Sequence, residues 1–175
     1  MLTALEVKTS YSILSSLNRI DKLTEKASEL GYFSLCITDT NNMFGVYEFY
    51  LSCKKYGIKP IIRMTVVNKQ DKFILIAKNN DGYKNLIKLS TIISERELEI
   101  EDLTKYCDNL ILIMPYTNYN EKIVNIYDDA FTGYSNMDDR VNITDRPVFI
   151  SDISYIDKDD YKYLDYLIMI RDDKK

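Results

Sequence analysis

The side chains able to do chemistry in this chain are acids, thiols and phenols, because its 175 residues include no histidine. Histidine is the commonest metal ligand and the usual proton shuttle near neutral pH. Without it there is no Ser-His or Cys-His nucleophile pair, no histidine-bearing zinc site and no imidazole acid–base catalyst. Cys36, Cys53 and Cys107 form no CxxC pair, and their odd number argues against a disulfide framework. They read as reduced, mostly buried thiols. The acid runs Asp128-Asp129, Asp138-Asp139 and Asp159-Asp160 lack the D-x-[DN]-x-[DN]-G spacing of a calcium loop. They suit solvated loops or helix N-termini favoured by the dipole. The fifteen tyrosines could form a stacking platform for single strands, but the net charge is −4 and the basic runs are pairs such as Lys54-Lys55. A stacking platform comes with a basic groove, so Tyr47, Tyr50 and Tyr83 are assigned to core packing. Weak binding of duplex DNA by the chain alone is expected for the same reason.

Those residues must be positioned by alternating strands and helices. Ala4–Val7 reads as a short strand. Asn18 is placed to cap a helix, with Asp21 three residues on and Ile20, Leu23, Ala27 and Leu30 at helical spacing, and Gly31 is placed to stop it. Residues 34–38 form a buried-type strand. Asn42 is expected to cap the next helix, with Val46, Tyr47, Tyr50 and Leu51 as its apolar face and Gly57 at its end. Pro60 opens a strand through Ile61, Ile62, Met64 and Val66, and residues 68–71 turn it into a second strand at 73–77, a hairpin. Asn80-Asp81-Gly82 starts a helix with Leu86, Leu89 and Ile93 on one face. A helix at 101–106, a strand at 110–114, a helix near 121–127 and a strand around 130–134 follow. Residues 138–145 read as polar loop, 147–151 as strand and 159–170 as a terminal helix.

Strand–helix units of this length predict an α/β domain, barrel or open sheet. No linker or internal repeat divides it, so one domain over 1–175 is expected. Hydrophobic residues make up 46% and charged residues 29%, ordinary for a globular protein. No run approaches the ~18 apolar residues of a membrane span, and the N-terminus lacks a signal-peptide layout. A cytoplasmic protein without a membrane partner is the expectation.

Several stretches together resemble the PHP (polymerase and histidinol phosphatase) domain of bacterial DNA polymerase III alpha subunits. Residues 4–14, ALEVKTSYSIL, are similar to the family's opening HLHVHSxYSLL, and residues 37–45, ITDTNNMFG, to ITDHGNMFG. Residues 53–65, CKKYGIKPIIRMT, match a CKKxGIKPIIGxE pattern, and residues 75–83, LIAKNNDGY, an LLAKNxxGY pattern. Residues 147–155 resemble PxVATNDVHY, and residues 170–175, IRDDKK, the IRDGKKL that leads out of it. Residues 115–146 match weakly and look shortened. The resemblance implies a PHP-type distorted (β/α)7 barrel. Because the pattern begins at Met1, it is closer to the DnaE type of subunit than to the PolC type. The ending at Lys175, where the family's chain continues, is expected of a fragment of a longer polymerase chain, with an independent small protein as the alternative.

The resemblance also implies a site. Active members hold divalent metals with a cluster of His, Asp and Glu at the barrel mouth. In this chain Ala4 and Glu6 stand where the family has the HxH histidines, Lys8 where it has the next one, and Thr40 where it has the histidine of TDHG. Thr65 replaces the glutamate of GxE, and Ser154 replaces the histidine of DVHY, while Asp152 and Asp39 are kept. Glu6, Asp39 and Asp152 could form a residual Mg²⁺ or Mn²⁺ site or be ordinary acids, solvated or paired. The second reading is adopted, because too few ligands remain for a multi-metal centre, and neither metal nor cofactor is expected. Lys8 and Arg63 bring cations to positions where the family has histidine and glycine. They either offset carboxylate charge that metals once offset or point to solvent.

What the resemblance then implies is a metal-less, non-catalytic PHP domain. It would support the polymerase core of the same chain and contact other replisome subunits. The nucleotidyltransferase activity would belong to the rest of the chain. The alternative is a free-standing metal-dependent phosphoesterase with a reduced carboxylate site.

Overall fold

The computed structural model describes residues 3, 4 and 6–173, and the side chains of Thr3 and Ala4 are not described. Along the chain, β1 (Thr3–Ala4) and β2 (Glu6–Val7) precede α1 (Ile20–Glu29). Ile20, Leu23 and Ala27 are buried on one face of α1, while Leu30, at its C-terminal cap, is exposed. Gly31 follows at φ +73°, a left-handed turn that glycine enters without a Cβ clash. Asn18 does not cap this helix: Arg19 is the capping residue and no side chain serves it. The Asn18 amide is buried and donates elsewhere, as described below.

Next come β3 (Ser34–Ile37), buried along its whole length, and α2 (Val46–Tyr56). The buried face of α2 is Val46, Phe49 and Cys53, so the helix is rotated from the phase that its tyrosines suggest. Tyr47 is 72% exposed, and Tyr50 and Leu51 are also exposed. Phe49 is the larger wholly apolar group at helical spacing from Val46 and Cys53, and it takes the core position. Asn42 is not the cap either: its Nδ2 donates to the Thr40 carbonyl, and Gly45 occupies the cap position. Gly57 closes α2 at φ +67°, its backbone N–H reaching the helix's last carbonyls.

β4 (Lys59–Asn68) and β5 (Asp71–Ala77) form the expected hairpin, paired antiparallel from Arg63↔Ile76 to Asn68↔Asp71. α3 (Asn80–Glu95) is capped by the Asn79 side chain, which accepts from the N–H groups of Asp81 and Gly82. Gly82 is required there. A Cβ on it would lie 2.2 Å from the Asn109 carbonyl oxygen. α4 (Ile100–Lys105) starts with a capping box in which Asp102 accepts from the Glu99 N–H. β6 (Leu110–Pro115), α5 (Glu121–Val124) and β7 (Ala130–Tyr134) follow. The segment read as polar loop contains a short helix, α6 (Met137–Asn142), because the Asn136 side chain caps the Asp139 N–H. β8 (Pro147–Phe149), β9 (Asp152–Ile153) and α7 (Tyr161–Arg171) complete the order.

The chain divides into two compact units. The first comprises the chain up to Asp39, Phe44–Ile61 and the chain from Ser151 onward. In it β1 pairs parallel with β3, β2 pairs parallel with β9, and α1 packs on α2. The second comprises Thr40–Met43 and Ile62–Ile150. Here β5 pairs antiparallel with β6, and β6, β7 and β8 run parallel to one another. Its core is apolar: Met64, Val66, Phe73, Leu75, Leu86, Leu89 and Leu112 are each fully or almost fully buried. Burying such side chains contributes roughly 1.5–3 kcal/mol apiece against the chain's conformational entropy. No helix among the described residues is long and apolar enough to cross a membrane.

Candidate functional site

In the first unit, the strand period places Glu6 and Lys8 on one face of β2 and its continuation, and Val7 on the other. Val7 is fully buried in the core. The ladder runs Glu6↔Asp152 and Val7↔Ile153 and continues through the Lys8 N–H to the Ile153 carbonyl at 3.2 Å. Glu6 and Asp152 are therefore cross-strand neighbours, a like-charge juxtaposition that costs stability unless something offsets it. Lys8 supplies the offset. Its ammonium donates to Asp152 Oδ2 in an ion pair, and the Ser154 hydroxyl donates to Asp152 Oδ1 at 2.6 Å. Both oxygens of Asp152 are thus engaged by residues at positions where the family pattern has histidine. The Lys8 side chain is 14% exposed and that of Asp152 42%, so the pair lies at the margin of the unit. Glu6 is buried.

Asp39, just beyond β3, is held in a different way. It is 2% exposed and accepts three hydrogen bonds: from the Thr9 N–H at 2.8 Å, the Thr9 hydroxyl at 2.7 Å and the Ser12 hydroxyl at 2.7 Å. Several donors to one buried carboxylate replace the water it has lost. The loop carrying them is itself tied down. Ser16 Oγ donates to the Lys8 carbonyl, Asn18 Nδ2 donates to the Lys8 and Ile153 carbonyls at 2.9 Å each, and the Leu17 N–H reaches the Ser154 carbonyl at 2.8 Å. Bonding to two strands is what withdraws Asn18 from the α1 cap. Sequence reasoning missed Thr9, Ser12, Ser16 and Asn18 as a bonding set. The signal was a run of small hydroxyl residues between β2 and α1 with neither helical nor strand period.

Thr40, Thr65 and Arg63 lie in the second unit. Thr40 and Thr65 meet as an isolated parallel bridge, and the Asn41 N–H donates to the Thr65 carbonyl at 2.9 Å. Thr65 is fully buried on β4, and Arg63, two residues before it, is 1% exposed. Neither cation therefore points to solvent. Of the other marked positions, Ala4 lies in β1 with its side chain outside the described residues, and the closing lysines Lys174 and Lys175 are outside them as well.

A hard divalent ion needs several oxygen or imidazole lone pairs turned to one point. Here an ammonium and a hydroxyl face Asp152, and three donors face Asp39. Among the described residues no group of three or more His, Cys, Asp or Glu side chains is arranged to hold a metal ion. The described residues do not fit the multi-metal centre that the resemblance implies. Two of the three thiols are enclosed. Cys36 and Cys53 are buried, and desolvation pushes the Cys53 thiol up to about 12. Burial also raises the Tyr127 phenol, whose hydroxyl has no hydrogen-bond partner among the described residues.

The PHP domain family model matches residues 4–164. The chain is 36% identical over 186 residues to DNA polymerase III subunit alpha of Staphylococcus epidermidis strain RP62A, covering all of this chain and 17% of that protein. It is 29% identical over 181 residues to the same subunit of Streptococcus pyogenes serotype M3, again covering 17% of the relative. The chain thus spans about one-sixth of the length of these curated relatives. Among solved structures, an amidohydrolase from Chromobacterium violaceum matches with a TM-score of 0.60 at 7% identity, over 94% of this chain and 96% of that one. That likeness concerns the fold alone, an α/β fold of the amidohydrolase-like, PHP barrel type in which a shortened barrel is accommodated. The chain belongs to the PHP domain family, as a homologue of the PHP region of bacterial DNA polymerase III alpha subunits.

Proposed function

We propose that the chain is a metal-less, non-catalytic PHP module that supports a polymerase of the DNA polymerase III alpha type. The observation that carries the reading is the engagement of Asp152 by Lys8 and Ser154. Two groups at positions of family histidines have become donors to the carboxylate they would once have flanked. A cation on a carboxylate does part of the electrostatic work of a metal ion without its Lewis acidity, so it stabilises the site and activates no water. Arg63 is assigned the same kind of role from its burial, since a guanidinium enclosed in protein requires compensating acceptors or charge. Polymerase activity, DNA contacts and replisome partners belong, on this reading, to the remainder of a longer assembly. The acidic balance of the chain agrees with it.

The test is metal content together with hydrolysis of a generic phosphomonoester in added Mn²⁺. The expected result is no stoichiometric metal after dialysis and no turnover above buffer. Stoichiometric metal and a turnover abolished by Asp39→Ala would overturn the proposal in favour of a reduced-site phosphoesterase.

A further inference from the structure

Helix α2 turns to solvent the tyrosines that its periodicity assigns to a core. Tyr47 is 72% exposed, Tyr50 and Leu51 47% each, and Phe44, two residues before the helix, 76%. At 100° per residue, Val46, Phe49 and Cys53 occupy the buried side. Tyr47, Glu48, Leu51, Lys54 and Lys55 fall on the other, with Leu51 at its middle. Tyr11 borders this face, its hydroxyl donating to Glu48 Oε2 at 3.0 Å. An exposed aromatic and aliphatic stretch rimmed by charges has the composition of a protein–protein contact. Its charges are also ordered by sign, Glu48 in the first turn and Lys54 and Lys55 in the last. On α1, by comparison, lysines pair within the helix, Lys22 with Glu25 and Lys26 with Glu29. On α2 the residues three and four beyond Glu48 are Leu51 and Ser52. Among the described residues Glu48, Lys54 and Lys55 form no ion pair.

We infer that α2 is the contact face of a symmetric dimer, packing antiparallel against α2 of a second copy about a two-fold axis at Leu51. A two-fold contact uses the same patch on both copies, so the patch must be complementary to itself when reversed. The order of charges meets that condition. With Leu51 against Leu51, the 100° spacing sets Glu48 opposite Lys55 of the copy along one flank and Tyr47 opposite Lys54 of the copy along the other. Each dimer then holds a Glu–Lys ion pair and an ammonium over a tyrosine ring twice over. The opposed helix dipoles add to the attraction. The contact is small. At about 200 Å² for a fully exposed large side chain, the exposed parts of Phe44, Tyr47, Tyr50 and Leu51 amount to about 480 Å² per copy. The pair would bury about 1,000 Å², the lower edge of a specific interface, so association is weak and concentration-dependent. This pairing does not depend on the state of the Asp152 site.

Sedimentation velocity of the 175-residue chain over a concentration series tests the pairing. The expected result is a monomer–dimer equilibrium with a dissociation constant on the order of tens of micromolar. Glu48→Lys and Lys55→Glu should each weaken it about tenfold or more, because each sets like charges across the flank. Mixed in equal amounts, the two variants should recover the dimer, since each supplies the charge that the other has lost. Circular dichroism checks that each variant is folded. Should Glu48→Lys not fold, Leu51→Asp leaves the Tyr11–Glu48 bond in place and is expected to disperse the dimer in its stead. Tyr163→Lys, at an exposed position on α7, should leave the equilibrium unchanged. A chain that stays monomeric at every concentration, a dimer indifferent to both charge reversals, or a mixture that fails to recover would each overturn the assignment. So would a dimer dispersed by Tyr163→Lys, which would move the contact to α7.

Discussion

Asp39 and Asp152 are two carboxylates kept from the same family pattern, and they are stabilised by opposite means. Asp39 is enclosed and is served by one backbone N–H and two hydroxyls, from residues that match serines of the pattern or stand beside them. Asp152 is 42% exposed and is served by an ammonium and a hydroxyl at positions where the pattern has histidine. The difference follows from desolvation. A carboxylate sealed from water needs several fixed hydrogen bonds, and a cation brought to the same depth would add its own desolvation cost. A carboxylate at the margin keeps part of its hydration, so a flexible lysine reaching in from β2 can neutralise it cheaply. On the metal-less reading proposed above, the site is not left with raw negative charge. The charge is absorbed by local donors where the site is deep and by a counter-ion where it is shallow.

The largest effect expected of this contrast comes from Asp39→Ala. It orphans three donors in a buried loop and removes a charge-assisted network, so unfolding stability should fall by about 4 kcal/mol, read as a lower urea midpoint at constant slope. Lys8→Met removes the counter-ion of Asp152 beside Glu6 but leaves water access, and about 1 kcal/mol is expected. If Lys8→Met costs as much as Asp39→Ala, the deep-versus-shallow distinction fails. Ser154→Ala should cost about 0.5 kcal/mol, since water can take the vacated lone pair. Lys8→His combined with Ser154→His sharpens the comparison from the other side. It puts two imidazoles beside Asp152, and the expected outcome is a gain of divalent-metal binding seen by calorimetry with Mn²⁺ or Zn²⁺, absent from the parent chain.

Much of this was legible in the sequence. Periodicity gave the buried faces of α1 and α3, the hairpin of β4 and β5, and the glycine stops at Gly31 and Gly57. Motif order gave the positions of Asp39 and Asp152. What failed were the places where a polar side chain had two possible employers. Asn18 and Asn42 both look like helix caps, and each instead donates to backbone carbonyls, which periodicity cannot show. The tyrosines of α2 misled for a related reason. A phenol is amphipathic, so Tyr47 and Tyr50 tolerate water, and Phe49, which does not, set the helix's rotation. The hydroxyl set around Asp39 was hidden because Thr9 and Ser12 carry no pattern until a buried acceptor is known to lie between them.

The smallest expected effect supplies a reference for the Lys8–Asp152 pair from a part of the chain with no inherited site. In the second unit Asp102 accepts a bidentate pair of bonds from Arg96 at 2.7 and 2.8 Å and a third from the Glu99 N–H. The Arg96 hydrogen bonds, then the Glu99 N–H, hold its carboxyl below the ordinary aspartate range. A carboxylate whose folded pKa is depressed contributes stability that is fully present above its unfolded value near ~3.9 and is lost as pH falls through the lower folded value. Arg96 is half exposed, so solvent screening reduces the contribution to about 0.3 kcal/mol. Asp102→Asn should therefore unfold slightly more easily than the parent at pH 7 and converge with it as pH falls below the depressed folded value. Divergence at low pH would mean that the capping geometry, rather than the charge, is what Asp102 supplies. Lys8→Met and Ser154→Ala would then have to be read as losses of geometry as well.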